Sequence, residues 1–122
     1  MPEHFTYLVK QHGALLAKGR ALGVQFAELF SNNLYLELSE HANKKAEEIR
    51  NLFKAKKITF YAQNKTNQTF VILKNSLVKK ISKKVTFTIW GKLKNETSIC
   101  RFVTSWATKD EEIEELKKAL EI

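Results

Sequence analysis

The sequence predicts an α+β fold: a long N-terminal helix, a second helix, then ββαββα forming a small, mainly antiparallel sheet covered by helices. Three observations carry this. Apolar residues recur at helical spacing up to Ala55, the period switches to two after Ile58, and a helix with an acidic first turn follows Thr108. At 122 residues, 43% of them hydrophobic, the chain is long enough for one core and too apolar for wholesale disorder.

The first helix is expected over residues 5–30, where Phe5, Leu8, Leu15, Leu22, Phe26 and Leu29 form one stripe. Gly13, Gly19 and Gly23 lie within it at about 1 kcal/mol each against Ala, which asks for a close neighbour or a bend. Ser31-Asn32-Asn33 ends the pattern. A second helix spans 34–55, with Leu34, Leu38, Ala42, Ile49, Leu52 and Phe53 on one face. Residues 58–61 and 69–73 read as strands joined by the polar turn 63–67, and 75–84 as a short basic helix carrying Leu77, Val78 and Ile81. Residues 85–89 alternate, 91–97 form a hairpin connection and 98–104 return as the partner strand. Thr108 at N-cap with Glu111 at N3 makes a capping box for the last helix, which packs through Ile113, Leu116 and Leu120. Asp110, Glu111 and Glu112 fill its first turn, where the helix dipole favours acids.

The net charge is +8, unevenly spread: residues 44–94 hold fourteen Lys or Arg against Glu47 and Glu48. Such a balance invites a nucleic-acid reading. Against it, the positive charge is nearly all Lys, with only Arg20, Arg50 and Arg101, whereas base-edge readout favours Arg. No aromatic residue stands among the lysine pairs 56–57, 79–80 and 83–84 as a stacking platform. A lysine-rich solvated surface is the expectation, and no nucleic-acid partner. No stretch approaches the ~20 apolar residues of a membrane helix. The start Met1-Pro2-Glu3-His4 is unlike a secretory signal, and the single Cys100 excludes an internal disulfide. A cytoplasmic protein is expected.

Little else suggests chemistry. His4, His12 and His41 lack partners at metal-ligand spacing, so no metal site is expected. Cys100 neighbours Arg101 but points to the opposite sheet face, as a small buried hydrophobe does. No phosphate-cradling glycine loop follows a strand. Arg101 stands apart. It alternates with Ile99 and Val103 on one strand face, and a buried guanidinium needs an anion or a route to water. Two readings stand open: an edge-strand arginine that reaches out to water or pairs with Glu96, or a forked grip on a carboxylate.

The run Arg101-Phe102-Val103-Thr104-Ser105-Trp106-Ala107-Thr108, with the acidic helix after it, resembles the C-terminal end of threonine aldolases and related β-eliminating lyases. These are pyridoxal-phosphate enzymes of the aspartate-aminotransferase-like class. The stretch from Tyr7 through His12-Gly13 to Gly19-Arg20 is similar to the helix that leaves the large domain in that family. His41-Ala42-Asn43 and Thr66-Asn67-Gln68 fall in the family's order and spacing. The resemblance implies a connecting helix over residues 1–31 and a small domain over 32–122. It implies that Arg101 holds the substrate carboxylate, with Thr66 and Asn67 as lesser site-lining candidates.

In this family the Schiff-base lysine, the pyridine-nitrogen partner, the ring-stacking histidine and most phosphate ligands lie upstream of the matching region. The resemblance therefore implies no catalytic residue here, pyridoxal phosphate in full-length relatives but none held covalently by this chain, and no turnover by this chain alone. The full-length reaction would cleave a β-hydroxy-α-amino acid to glycine and an aldehyde, or carry out a related β-elimination. The expected partner is a large domain or a second copy, giving a homo-oligomer. Two alternatives differ in class. One is a catalytically inert module self-associating through Leu8, Leu15, Leu22 and Phe26. The other is a basic nucleic-acid-binding module using residues 56–94.

Overall fold

The computed structural model describes residues 3–121. It divides into two compact units, Met1–Tyr35 and Leu36–Ile122.

The first unit holds α1 (Phe5–Gln11) and α2 (Gly19–Leu29). The single helix expected over 5–30 is thus two. Gly13 adopts a φ of +66°, a left-handed conformation that glycine takes without a Cβ penalty. Its N–H bonds to the Lys10 carbonyl at 3.0 Å, and the Ala14 N–H reaches the Val9 carbonyl at 2.9 Å. That pair of bonds is a Schellman motif, which ends α1. Gly19 then opens α2, so two of the three glycines mark helix boundaries. Neither helix contains a buried residue. Asn32 and Asn33, both at positive φ, make the turn that follows, a backbone state asparagine tolerates well.

Most of α3 (Leu34–Ala55) lies in the second unit, with β1 (Thr59–Ala62), β2 (Gln68–Lys74), α4 (Asn75–Ile81), β3 (Thr88–Leu93), β4 (Thr97–Val103) and α5 (Asp110–Leu120). The expected α+β class and the ββαββα order hold. The four strands form one antiparallel sheet in the order β1-β2-β4-β3, so β4 is a central strand.

The two faces of this sheet differ. Val71 and Leu73 on β2 and Cys100 and Phe102 on β4 join Ile49 and Phe53 of α3, Val78 and Ile81 of α4, and Ile113, Leu116, Ala119 and Leu120 of α5 in a single core. Phe102 meets Phe53 edge-on at 5.0 Å and stacks on Phe87 at 4.8 Å. By alternation the second face carries Phe70, Ile72, Ile99, Arg101 and Val103. Cys100 is fully buried, and desolvation pushes its thiol pKa up to about 11, the state of an unreactive core cysteine.

Two boundaries shift. The strand expected from residue 85 begins at Thr88, because the ladder ends with Thr88 opposite Arg101; Val85 and Phe87 pack half-buried against the core without strand pairing. The N-cap of α5 is Lys109, not Thr108. The Thr108 hydroxyl instead accepts the Ser105 N–H at 2.9 Å, and the Glu112 carboxylate accepts the Lys109 N–H at 2.9 Å. Among the described residues no helix is long and apolar enough to cross a membrane.

Candidate functional site

Arg101 sits midway along β4, opposite Phe70 on β2 and Thr88 on β3. Side chains directly opposite share a face, so these three point the same way. The guanidinium Cζ lies 4.8 Å from the centre of the Trp90 ring, within cation–π range. Nη2 donates one long hydrogen bond, 3.4 Å, to the Thr88 hydroxyl. Nε is buried and has no hydrogen-bond partner among the described residues. Among the described residues no carboxylate pairs with Arg101.

The edge-strand pairing with Glu96 is overturned. The arginine lies on a central strand, while Glu96 occupies the β3–β4 turn, five residues away. At about 3.3 Å of rise per residue, that is roughly 16 Å along the strand, beyond side-chain reach.

Thr66 and Asn67 lie at the β1–β2 turn. The Thr66 carbonyl accepts from Arg50 Nη1 at 2.9 Å, and its hydroxyl accepts the Gln68 N–H at 3.3 Å. The Asn67 side-chain amide donates to the Thr104 carbonyl at 2.8 Å, and the Asn67 carbonyl accepts the Thr104 N–H at 3.0 Å. Thr104, almost wholly buried, also donates its hydroxyl to the Ala42 carbonyl at 2.7 Å. His41 Nε2 donates to the Thr108 carbonyl at 2.9 Å. The short motifs around residues 41–43, 66–68 and 104–108 are therefore one hydrogen-bonded latch. It ties α3, the β1–β2 turn and the end of β4 together. Arg101 takes no part in it, and Asn67 stands about 10 Å from Arg101 along the ladder, three residue steps away.

A second charged cluster was not foreseen from the sequence. Lys45, only 8% exposed, donates to Glu48 at 2.9 Å and to Asp110 in the first turn of α5. These bonds raise the Lys45 pKa above its ordinary value; the same bond with Lys45 lowers that of Asp110. The signal lay in the spacing: Lys45 falls on the face of α3 that buries Ala42, Ala46, Ile49 and Phe53. Trp90, Phe70 and Thr88 were also missed, since only the β3–β4 register brings Trp90 and Thr88 to Arg101 and only the β2–β4 register brings Phe70.

Two grooves open on the second unit. One, of about 470 Å³, runs beside residues 102–108 and the start of α5; the other, about 950 Å³, lies between α3 and β1. Arg101 lines neither. Among the described residues no three His, Cys, Asp or Glu side chains gather as a metal-binding group.

Comparison with known proteins places the chain. It is 36% identical to the solved threonine aldolase of Leishmania major, superposing on it with a TM-score of 0.88 over 98% of its own length. The chain spans 35% of the length of that protein. No family profile and no curated protein matches the chain.

Proposed function

Taking the chain as the small-domain portion of a threonine-aldolase-like protein, we propose that it supplies the arginine that holds a substrate carboxylate. The reaction would be cleavage of a β-hydroxy-α-amino acid, or a related β-elimination. One observation carries the reading. Arg101 is a half-buried guanidinium on a central strand with no carboxylate partner among the described residues, and its outer nitrogens keep donors to spare. Guanidinium matches carboxylate geometry with two parallel N–H donors, so the residue is suited to a forked grip. Its role would be positioning: fixing the α-carboxylate fixes the orientation of the bonds at the neighbouring carbon.

Pyridoxal phosphate, implied by the family, does not fit the residues present. A Schiff-base lysine must lose its proton readily, which burial without a counter-charge favours. Lys45, the one buried lysine among the described residues, is instead held cationic by Glu48 and Asp110. No step through the cofactor is assigned to this chain. Mixing the purified chain with pyridoxal phosphate is expected to give no aldimine absorbance removable by borohydride; such a band would overturn the assignment of the Schiff-base chemistry to other residues. Titration with glycine, followed by NMR of arginine side chains, is expected to move the Arg101 signals and not those of Arg20 or Arg50. Unmoved Arg101 signals would end the carboxylate reading.

A second reading, a self-associating module, is favoured by the first unit. Leu8, Leu15, Leu22 and Phe26 are each at least 41% exposed. Exposed apolar side chains of this kind suit an association surface, and a second copy or a large domain are the occupants proposed for it.

A further inference from the structure

Resting on the carboxylate reading of Arg101, we infer that Trp90 is a positioning residue, whose indole lies across the arginine and aims its outer nitrogens at the carboxylate. The β3–β4 ladder pairs Ile89 with Cys100 and Gly91 with Ile99, which leaves Trp90 as the extra residue of a β-bulge. A bulge re-aims a side chain that regular pairing would hold upright. Gly91 takes the paired position beside Ile99, whose Cδ1 lies 3.6 Å from where a Cβ on Gly91 would stand.

The indole reaches across a whole strand. Trp90 belongs to β3, yet it meets Phe70 of β2 edge-on, with ring centres 5.6 Å apart and planes at 81°. β4 runs between those two strands, so the ring lies over β4, and the residue of β4 opposite Phe70 is Arg101. The 4.8 Å from Cζ to the ring centre is the same fact seen from the arginine. Phe70 holds the far edge of the indole and the strand backbone fixes its near end.

Little else orients the guanidinium. Among the described residues its one hydrogen bond is the long one to Thr88, and Nε is buried without a partner. With Nε shut off, a two-point grip must come from the Nη1–Nη2 end. Trp90 itself is 57% exposed and stands on the sheet face away from the core, so core packing does not account for it.

The test follows the three arginine side chains by NMR in the intact chain, with Arg101→Lys identifying the Arg101 signals. Glycine is the carboxylate probe and ethanolamine, which lacks the carboxylate, the control. In Trp90→Leu the ligand-free Arg101 Nε–H signal should lose its ring-current displacement and its rigidity, and glycine should bind about two- to fivefold more weakly, the range expected for one exposed cation–π contact. Trp90→Phe, which keeps an aromatic face, should recover most of both. Equal glycine affinity in wild type and Trp90→Leu would overturn the role of Trp90 while leaving Arg101 as the carboxylate ligand. If wild type ignores glycine although Trp90→Leu loosens Arg101, the carboxylate reading falls and the inference falls with it.

Discussion

The two units of this chain solve opposite problems. In residues 36–122 the apolar side chains of three helices and one sheet face meet in a closed core, with Phe53, Val71, Ile81 and Cys100 fully buried. In residues 1–35 the same kinds of side chain are displayed: Phe26 and Phe30 stack on each other with ring centres 6.1 Å apart, yet are 53% and 65% exposed. The local helical signal is similar in both units. Amphipathic periodicity states which residues want burial, and only tertiary partners decide whether they get it. The second unit therefore carries its own core, whereas neither helix of the first contains a buried residue.

The sharpest way to break this contrast is matched truncation. Phe53→Ala should cost about 3–5 kcal/mol, the usual range for removing a buried phenylalanine. Phe26→Ala should change stability by no more than about 0.5 kcal/mol, as exposed substitutions do. Urea unfolding of both variants gives the answer, and a large loss in Phe26→Ala would mean that unit 1 is already covered. The latch comes next. Thr104→Val keeps the shape but strips the hydroxyl from the Ala42 and Asn67 carbonyls, 2.7 and 3.2 Å away, at a cost of about 1–3 kcal/mol by the same measurement. Sedimentation tests the cover directly: wild type is expected to self-associate at tens of micromolar and Phe26→Ser to do so less, whereas a monomeric wild type would remove the second-copy partner.

The ion pairs of Lys45 give a pH signature. The Asp110 carboxyl is lowered from its usual value, first by its bond to Lys45, so its stabilisation is present above pH ~4 and is lost as pH falls through the folded value. Lys45 is raised, so its share is complete below pH ~10.4 and is lost as pH rises through the folded value. The stability gap between wild type and Asp110→Asn should thus be a plateau between those limits that shrinks at both ends. A gap independent of pH would show that the pair does not contribute through charge.

Much of the second unit was legible because its elements are amphipathic and sharply bounded. The bounds of α3 at Leu34 and Ala55 follow from an apolar stripe that starts after two asparagines and stops at a lysine pair. The break between α1 and α2 was not legible: apolar residues keep their helical spacing through Leu15, and a glycine cost of about 1 kcal/mol is compatible with either a helix or a cap. The end of α3 hides another such cap. Lys57 takes a φ of 54°, with the Schellman bonds Lys57 to Lys54 and Ile58 to Phe53, and no glycine announces it. Arg101 was visible as an anomaly of alternation. Its neighbours were not: Thr88 and Trp90 depend on the three-residue turn 94–96 and on a bulge at Trp90, and Phe70 on the β2–β4 register, where a one-residue slip would bring a different set to the arginine.

The smallest expected effect concerns β4 itself, where neighbouring residues face the two environments the molecule contrasts. Cys100→Ser places a hydroxyl in a fully buried core site and should cost about 1–3 kcal/mol. Arg101→Gln removes a guanidinium that makes one long hydrogen bond and one aromatic contact among the described residues, so it should shift stability by about 0.5 kcal/mol or less. A residue kept for packing loses stability when removed; a residue held ready for a ligand loses only the ligand. If Arg101→Gln unfolds the chain as readily as Cys100→Ser does, the arginine and its indole are part of the scaffold, and the carboxylate must be held elsewhere.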